Sequence, residues 1–213
     1  MDLQGLAGTY DAVFSIGYNG QPSIQRIKNR LYANPGPLDW MLSDLPDVGR
    51  LLENRFEGFM DRNRLRIIGK DQNELFHLVQ DSLYRVISAQ DFSIHHDPDG
   101  QLPDYPAFAR RLHTRAQHFL YELERSRMSL FIRTGATWEQ TVHFVKLLDE
   151  RLTYDYRLLV VNYGGSNGIT DCFWPLERVC GIRLPVVSGW TSQDALWKIL
   201  LAGVNIVGEE NNR

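Results

Sequence analysis

Short continuous apolar runs alternate along this chain with longer segments in which apolar residues recur every three or four positions. The first run, Ala12, Val13 and Phe14, passes through the loop Ser15-Ile16-Gly17-Tyr18-Asn19-Gly20 into a helical pattern over 22–31, with Ile24, Ile27 and Leu31 on one face. Asn34-Pro35-Gly36-Pro37 predicts a turn, because proline fixes φ and glycine accepts positive φ. Helical spacing returns over 48–60 through Val48, Leu51, Leu52, Phe56 and Phe59. Apolar stretches at 65–68 and 75–79 flank a polar turn at 70–73, and residues 85–94 predict a further strand. A polar surface loop over 95–103 leads into a helix over 106–125, with Phe108, Leu112, Phe119, Leu120 and Leu123 on its apolar face.

Residues 128–132 predict another strand. Thr137 and Gln140 then have capping-box spacing and open a helix that turns Val142, Val145, Leu148 and Leu152 inward. Strands are expected over 157–161 and 182–187, and Ser192 is expected to cap a closing helix through Leu196, Trp197, Leu200 and Leu201 to Gly203. Unbroken apolar strands are the kind buried on both faces. With strands and helices alternating, they predict an α/β fold: a single layered domain over 1–208 with a mainly parallel sheet flanked by helices, and a frayed tail at 209–213.

Composition narrows the partners. A length of 213 residues with 43% hydrophobic residues supports one substantial core. A net charge of −3 gives no electrostatic ground for a nucleic-acid partner or an anionic membrane surface. No apolar run is long enough to cross a bilayer, the N-terminus Met-Asp-Leu-Gln-Gly-Leu lacks signal-peptide character, and two cysteines make no disulfide framework. A cytoplasmic setting is the expectation.

In a parallel sheet the carboxyl ends of the strands converge, and ligands bind there. The first strand should deliver Ser15, Gly17 and Asn19, and the second Ser88, Gln90 and Asp91. Later strands should deliver Arg133, Thr134, Asn162, and Ser188 with Trp190. The competing reading is that these are loop and capping residues. No metal or cofactor is expected. His95 and His96 are adjacent and point apart, and His113 and His118 do not share a helix face. His143 falls among helix core positions, and Cys172 and Cys180 read as packed small hydrophobes. The loop Gly164-Gly165-Ser166-Asn167-Gly168 lacks the Lys-Ser/Thr ending of a phosphate loop. Asp39-Trp40 either closes over the first loop or anchors the turn in the core.

Several segments, taken in order, resemble a bacterial family of uncharacterised domains labelled papain-like cysteine peptidases. They are Tyr-Asp-Ala-Val-Phe-Ser-Ile-Gly-Tyr-Asn-Gly (10–20), Pro-Leu-Asp-Trp-Met (37–41), the stretch 51–60, Ser-Ala-Gln-Asp-Phe (88–92), Leu-Phe-Ile-Arg-Thr-Gly (130–135), Leu-Leu-Val-Val-Asn (158–162) and the stretch 197–203. The resemblance implies a papain-like α+β fold as the alternative architecture. It also implies a cysteine at the position of Gly20 and a histidine at that of Gln90. A thiol peptidase needs a thiolate and a base to activate it, and neither glycine nor glutamine supplies one.

The expected function is therefore a family member without thiol peptidase activity. It would bind a small ligand or a protein partner through Ser15, Asn19, Gly20, Gln90, Asp91, Arg133 and Asn162. Two alternatives stand beside it: a hydrolase or acyltransferase with Ser15 as nucleophile, Asp91 and His95 or His96 assisting, and the 17–20 amides as an oxyanion site; or a structural, assembly role.

Overall fold

The described residues of the computed structural model are 1–32, 34–165, 168–186 and 192–207. In chain order they form β1 (Gly8–Tyr10), β2 (Ala12–Ser15), α1 (Gln21–Lys28), β3 (Met41–Leu42), α2 (Leu45–Glu53), β4 (Leu65–Lys70), β5 (His77–Asp81) and β6 (Ile87–Ser88). There follow α3 (Tyr105–Arg125), β7 (Met128–Thr134), α4 (Trp138–Arg151), β8 (Asp155–Tyr163), β9 (Thr170–Asp171), β10 (Val179–Leu184), α5 (Asp194–Leu200) and β11 (Val204–Ile206).

The main sheet has the order β2-β7-β8-β10-β9; its first four strands are parallel, and β9 is antiparallel at the edge. Alternation along these strands divides the interior into two cores. Phe14, Phe131 and Leu158 stand in register and pack, with Val160, against Val48, Leu112, Phe119, Phe144 and Leu148 of α2, α3 and α4. Their neighbours Val13, Leu130, Ile132, Leu159 and Val161 point the other way, toward Trp197 and Leu200 of α5 and toward β1 and β11. Both faces are covered, which is why the strands read as unbroken apolar runs. The expected α/β architecture with a mainly parallel sheet is the one observed. A second, antiparallel sheet, β3-β6-β5-β4, lies outside the strand–helix alternation.

The helix expected over 106–125 forms, and the capping box at Thr137 is complete: its hydroxyl accepts from Gln140 N, and the Gln140 side chain accepts from Thr137 N. Other elements differ. The strand expected over 85–94 is reduced to the two residues of β6, because the chain turns at Ala89 and Gln90 instead of continuing the ladder. The closing helix starts at Asp194 with Gln193, not Ser192, at the cap position. His143 faces solvent, so the helix core excludes it. The expected strand over 182–187 begins three residues earlier, at Val179. The tail 209–213 lies outside the described residues.

The largest departure is α1. Its buried side chains are Gln21, Pro22, Ser23, Gln25 and Arg26, while Ile27 is 47% exposed. The partners of this helix are polar: Ser23 donates to the Asp39 carbonyl, Arg26 pairs with Asp39, and Gln25 Nε2 donates to Asp194 of α5. Hydrogen-bonding demand from these neighbours, not apolar periodicity, sets which face turns inward.

Candidate functional site

The chain leaves β2 through a sharply bent loop. Gly17 has φ +79, and an added Cβ there would lie 2.4 Å from Ser43 Oγ, so glycine is required on both counts. Tyr18 follows with φ +72, a conformation that costs a non-glycine residue energy and recurs at functional sites. It is held there because Tyr18 N donates to Ser43 Oγ at 3.0 Å. Its ring, 43% exposed, lies over the guanidinium of Arg133 at 5.5 Å.

Arg133, from the end of β7, is fully buried. Its Nη1 donates to Ile16 O at 2.8 Å and to Ser43 Oγ at 3.1 Å, and its Nη2 donates to Ser43 O at 2.6 Å. No carboxylate of the described residues lies within ion-pairing distance. Burial pushes its pKa down to about 9, opposed by the nearby charges of Asp44 and Asp47, so it remains charged at neutral pH. The guanidinium therefore ties the β2 loop to the β3–α2 connection. Above it lies an open groove of about 620 Å³, lined among others by Tyr18, Asn19, Leu42, Asp44, Gln80 and Arg85. Sequence reasoning missed Ser43 and Tyr18. The only local signal at Ser43 is that Asp44 and Pro46 mark a helix start.

The remaining strand-end residues have internal partners. Asn19 Oδ1 accepts from Gln21 N and from Thr134 Oγ1, both at 3.0 Å, which joins the loop to β7. Asn162 makes a two-way clamp on one residue, Oδ1 accepting from Ala136 N at 3.0 Å and Nδ2 donating to Ala136 O at 2.8 Å. Ser15 is 1% exposed. Ser23 Oγ is 3.0 Å from Ser15 Oγ and 2.8 Å from Asp39 O. A carbonyl only accepts, so Ser23 gives its proton to Asp39 O and Ser15 gives its own to Ser23.

Gly20 caps α1 and is buried beneath Trp40: an added Cβ would lie 2.9 Å from Trp40 Cε3 and 3.1 Å from Cζ3. Both readings of Asp39-Trp40 hold, since Trp40 closes over the loop while Asp39 anchors the turn. Asp39 Oδ1 pairs with Arg26 at 3.2 Å, and Oδ2 accepts from Gly36 N at 2.8 Å. Burial raises the Asp39 pKa and lowers that of Arg26, and each partner counteracts the shift of the other.

Ser88, Gln90 and Asp91 do not come from a strand of the parallel sheet. They lie at and after β6, in the antiparallel sheet, where Met41 is the register partner of Ser88. Trp40, over Gly20, immediately precedes Met41, so the 37–41 and 88–92 segments meet at the β3–β6 pair. Gln90 is exposed. Asp91 Oδ2 accepts from Ser88 Oγ at 2.7 Å, and Oδ1 lies 3.5 Å from Arg111 Nη2.

Cys180 is buried and Cys172 half-buried, and both are unpaired by disulfide. Burial raises both thiols, Cys180 to about 12, so neither is a thiolate near neutrality. The rings of His95 and His96 stand 5.8 Å apart, and His96 Nδ1 lies 3.4 Å from Asp104. Among the described residues no group of three His, Cys, Asp or Glu side chains could hold a metal ion. Among the described residues no helix is long and apolar enough to cross a membrane. Ser188, Trp190 and the centre of the 164–168 loop lie outside the described residues.

Residues 11–164 match the model of a domain family described as "Putative papain-like cysteine peptidase". No curated protein and no solved structure matches the chain.

Proposed function

From the premise that this chain belongs to the family described as putative papain-like cysteine peptidase, we propose that it works without thiol chemistry and binds a small ligand at the ends of the parallel strands. The observation that carries the reading is Trp40 over Gly20: the residue that the resemblance sets at the family's cysteine has no side chain, and the space that one would occupy is filled by an indole ring. The base position is Gln90, whose amide takes no proton near neutrality. Cys172 and Cys180 supply no substitute thiolate, because burial holds both protonated. Ser15 is enclosed and its proton is committed to Ser23, with no imidazole in the hydrogen-bond chain.

The ligand surface in this reading is the groove over Arg133. Tyr18 offers an exposed ring fixed in a strained backbone position, and Asn19, Asp44, Gln80 and Arg85 surround it with donors and acceptors. A rigid aromatic platform rimmed by a few polar groups suits a small, partly flat ligand. Arg133 acts from below, holding the loop rather than touching the ligand.

The test has two arms. Purified protein is incubated with a thiol-directed epoxide probe and a mixed peptide library; peptide cleavage abolished by the probe would refute the non-thiol reading. Nitrogen-15 NMR then follows small anions, amino acids and nucleotides titrated into the wild type and Tyr18→Ala. Saturable shifts at residues 17–19, 42–44 and 80–87 that disappear in the variant support the ligand-binding reading. Their absence across the panel sinks it.

A further inference from the structure

The outer face of α3 carries a basic groove. Arg111, Arg115 and His118 are spaced i, i+4 and i+7, while Arg110 and Thr114 flank them. These side chains line a groove of about 460 Å³ whose opposite wall is the Asn34–Pro35 turn. The helical rise makes the stripe from 111 to 118 roughly 10 Å long. Volume and length suit a small organic molecule.

A row of arginines on a helix is ordinarily a solvated face, paired with acids along the same surface. That account fails here. Arg111 is taken up by Asp91 at 3.5 Å, but Arg110 and Arg115 have no carboxylate within 4.0 Å among the described residues. The excess stands in a chain with 26 acidic and 23 basic residues, where nearby acids would be easy to supply. Below the groove, sharing Asn34, Pro35 and His118 with it, is a polar cavity of about 10 Å³, room for one water. Glu122 closes that cavity and accepts from Asn34 Nδ2 at 2.9 Å. Its carboxylate repels an anion, so the anion sits at the mouth, against the arginines, and not in the floor.

We propose that this groove binds a phosphate monoester. Two guanidiniums without a direct ion pair, Arg115 acting only at longer range on the buried Asp39, match the charge of a phosphate dianion, whereas one carboxylate would leave half of that charge unanswered. The planar fork of each guanidinium meets two phosphate oxygens at once. The Thr114 and Asn34 side chains, together with the apolar ring of Pro35, are left for the organic part of the ester. This inference goes beyond the groove over Arg133, and it stands whether or not that groove binds a ligand.

Isothermal titration with phenyl phosphate, inorganic phosphate and benzoate tests it on the full chain. Phenyl phosphate is expected to bind saturably and benzoate at least about tenfold more weakly, the difference of one charge-assisted hydrogen bond. Inorganic phosphate binding as tightly as the ester would overturn the ester assignment. Arg110→Gln/Arg115→Gln, on an exposed helix face, should weaken phenyl phosphate by more than about tenfold with unchanged circular dichroism. Asp91→Asn, which releases Arg111, should tighten it several-fold. No saturable binding at millimolar ester, or equal affinity in the double variant, overturns the proposal. NMR shifts at α3 rather than at Tyr18 separate this result from that of the strand-end groove.

Discussion

Replacing Gly20 by alanine places a single carbon against Trp40, and the double-mutant cycle with Trp40→Ala isolates its cost. The added Cβ would stand 2.9 Å and 3.1 Å from two ring carbons. Ordinary carbon contacts lie near 3.5–4.0 Å, so the ring must retreat by roughly half an ångström or more. Overpacking of this kind costs about 1–3 kcal/mol, and the loss of glycine's freedom in the unfolded chain returns about 0.4–1 kcal/mol. Gly20 has φ −74, so no backbone strain is added. The net expectation is a destabilisation of about 0.5–2 kcal/mol in the presence of Trp40. With Trp40→Ala the clash is gone, and the unfolded-state gain alone makes Gly20→Ala stabilising by about 0.4–1 kcal/mol before any change in capping. Any change in helix capping appears in both backgrounds and cancels. Equilibrium urea denaturation followed by far-UV circular dichroism measures all four proteins, avoiding the tryptophan signal that one substitution alters. A coupling energy of about 1–3 kcal/mol is expected. An equal cost of Gly20→Ala in both backgrounds would refute the claim that Trp40 fills the space a side chain at position 20 would take. The functional counterpart is Gly20→Cys: its thiol should react slowly with iodoacetamide while Trp40 is present and faster once it is removed.

Arg133→Met should cost about 2–4 kcal/mol, because it leaves the Ile16 and Ser43 carbonyls buried without donors; a loss below half a kcal/mol in urea denaturation would contradict this. Lysine should not rescue it, since one ammonium cannot span the acceptors that the guanidinium reaches. Asn162→Ala, which removes both bonds to Ala136, is expected to cost about 1–3 kcal/mol by the same measurement, with the sheet's circular dichroism retained. Alkaline stability follows from the buried acids: Tyr10 and Tyr163 rise from 10.0, and Cys180 from 9.0, to about 12. The folded state keeps these protons after the unfolded chain has lost them, so stability is intact below pH 9 and falls between pH 9 and 12. A urea midpoint that rises across that interval would show the sign to be wrong.

Periodicity alone carried most of the scaffold. Strands buried on both faces and a capping box are local patterns of two to four residues, and the parallel sheet, α3 and α4 were legible from them. The β1–β11 pair was not, because Gly8 and Val204 become neighbours only across the length of the chain. α1 also misled: Ile24 and Ile27 have the spacing of a buried face, yet Ser23, Gln25 and Arg26 are the residues turned inward, toward partners at positions 39 and 194.

The candidate site divides in the same way. Gly20, Gln90 and the strand ends could be picked out residue by residue, since chemistry belongs to side-chain type. Whether their atoms are available depends on who else arrives. Asn162 is spent on Ala136 and Ser15 on Ser23, while Arg133 is spent on carbonyls as far away as residue 16. Trp40, twenty residues downstream, comes to rest on Gly20, and Arg111 on Asp91 from another layer. Local patterning is set by the backbone's own periods, which the order of residues contains. Occupancy of a site is set by contacts between distant segments, and only the folded chain brings those together.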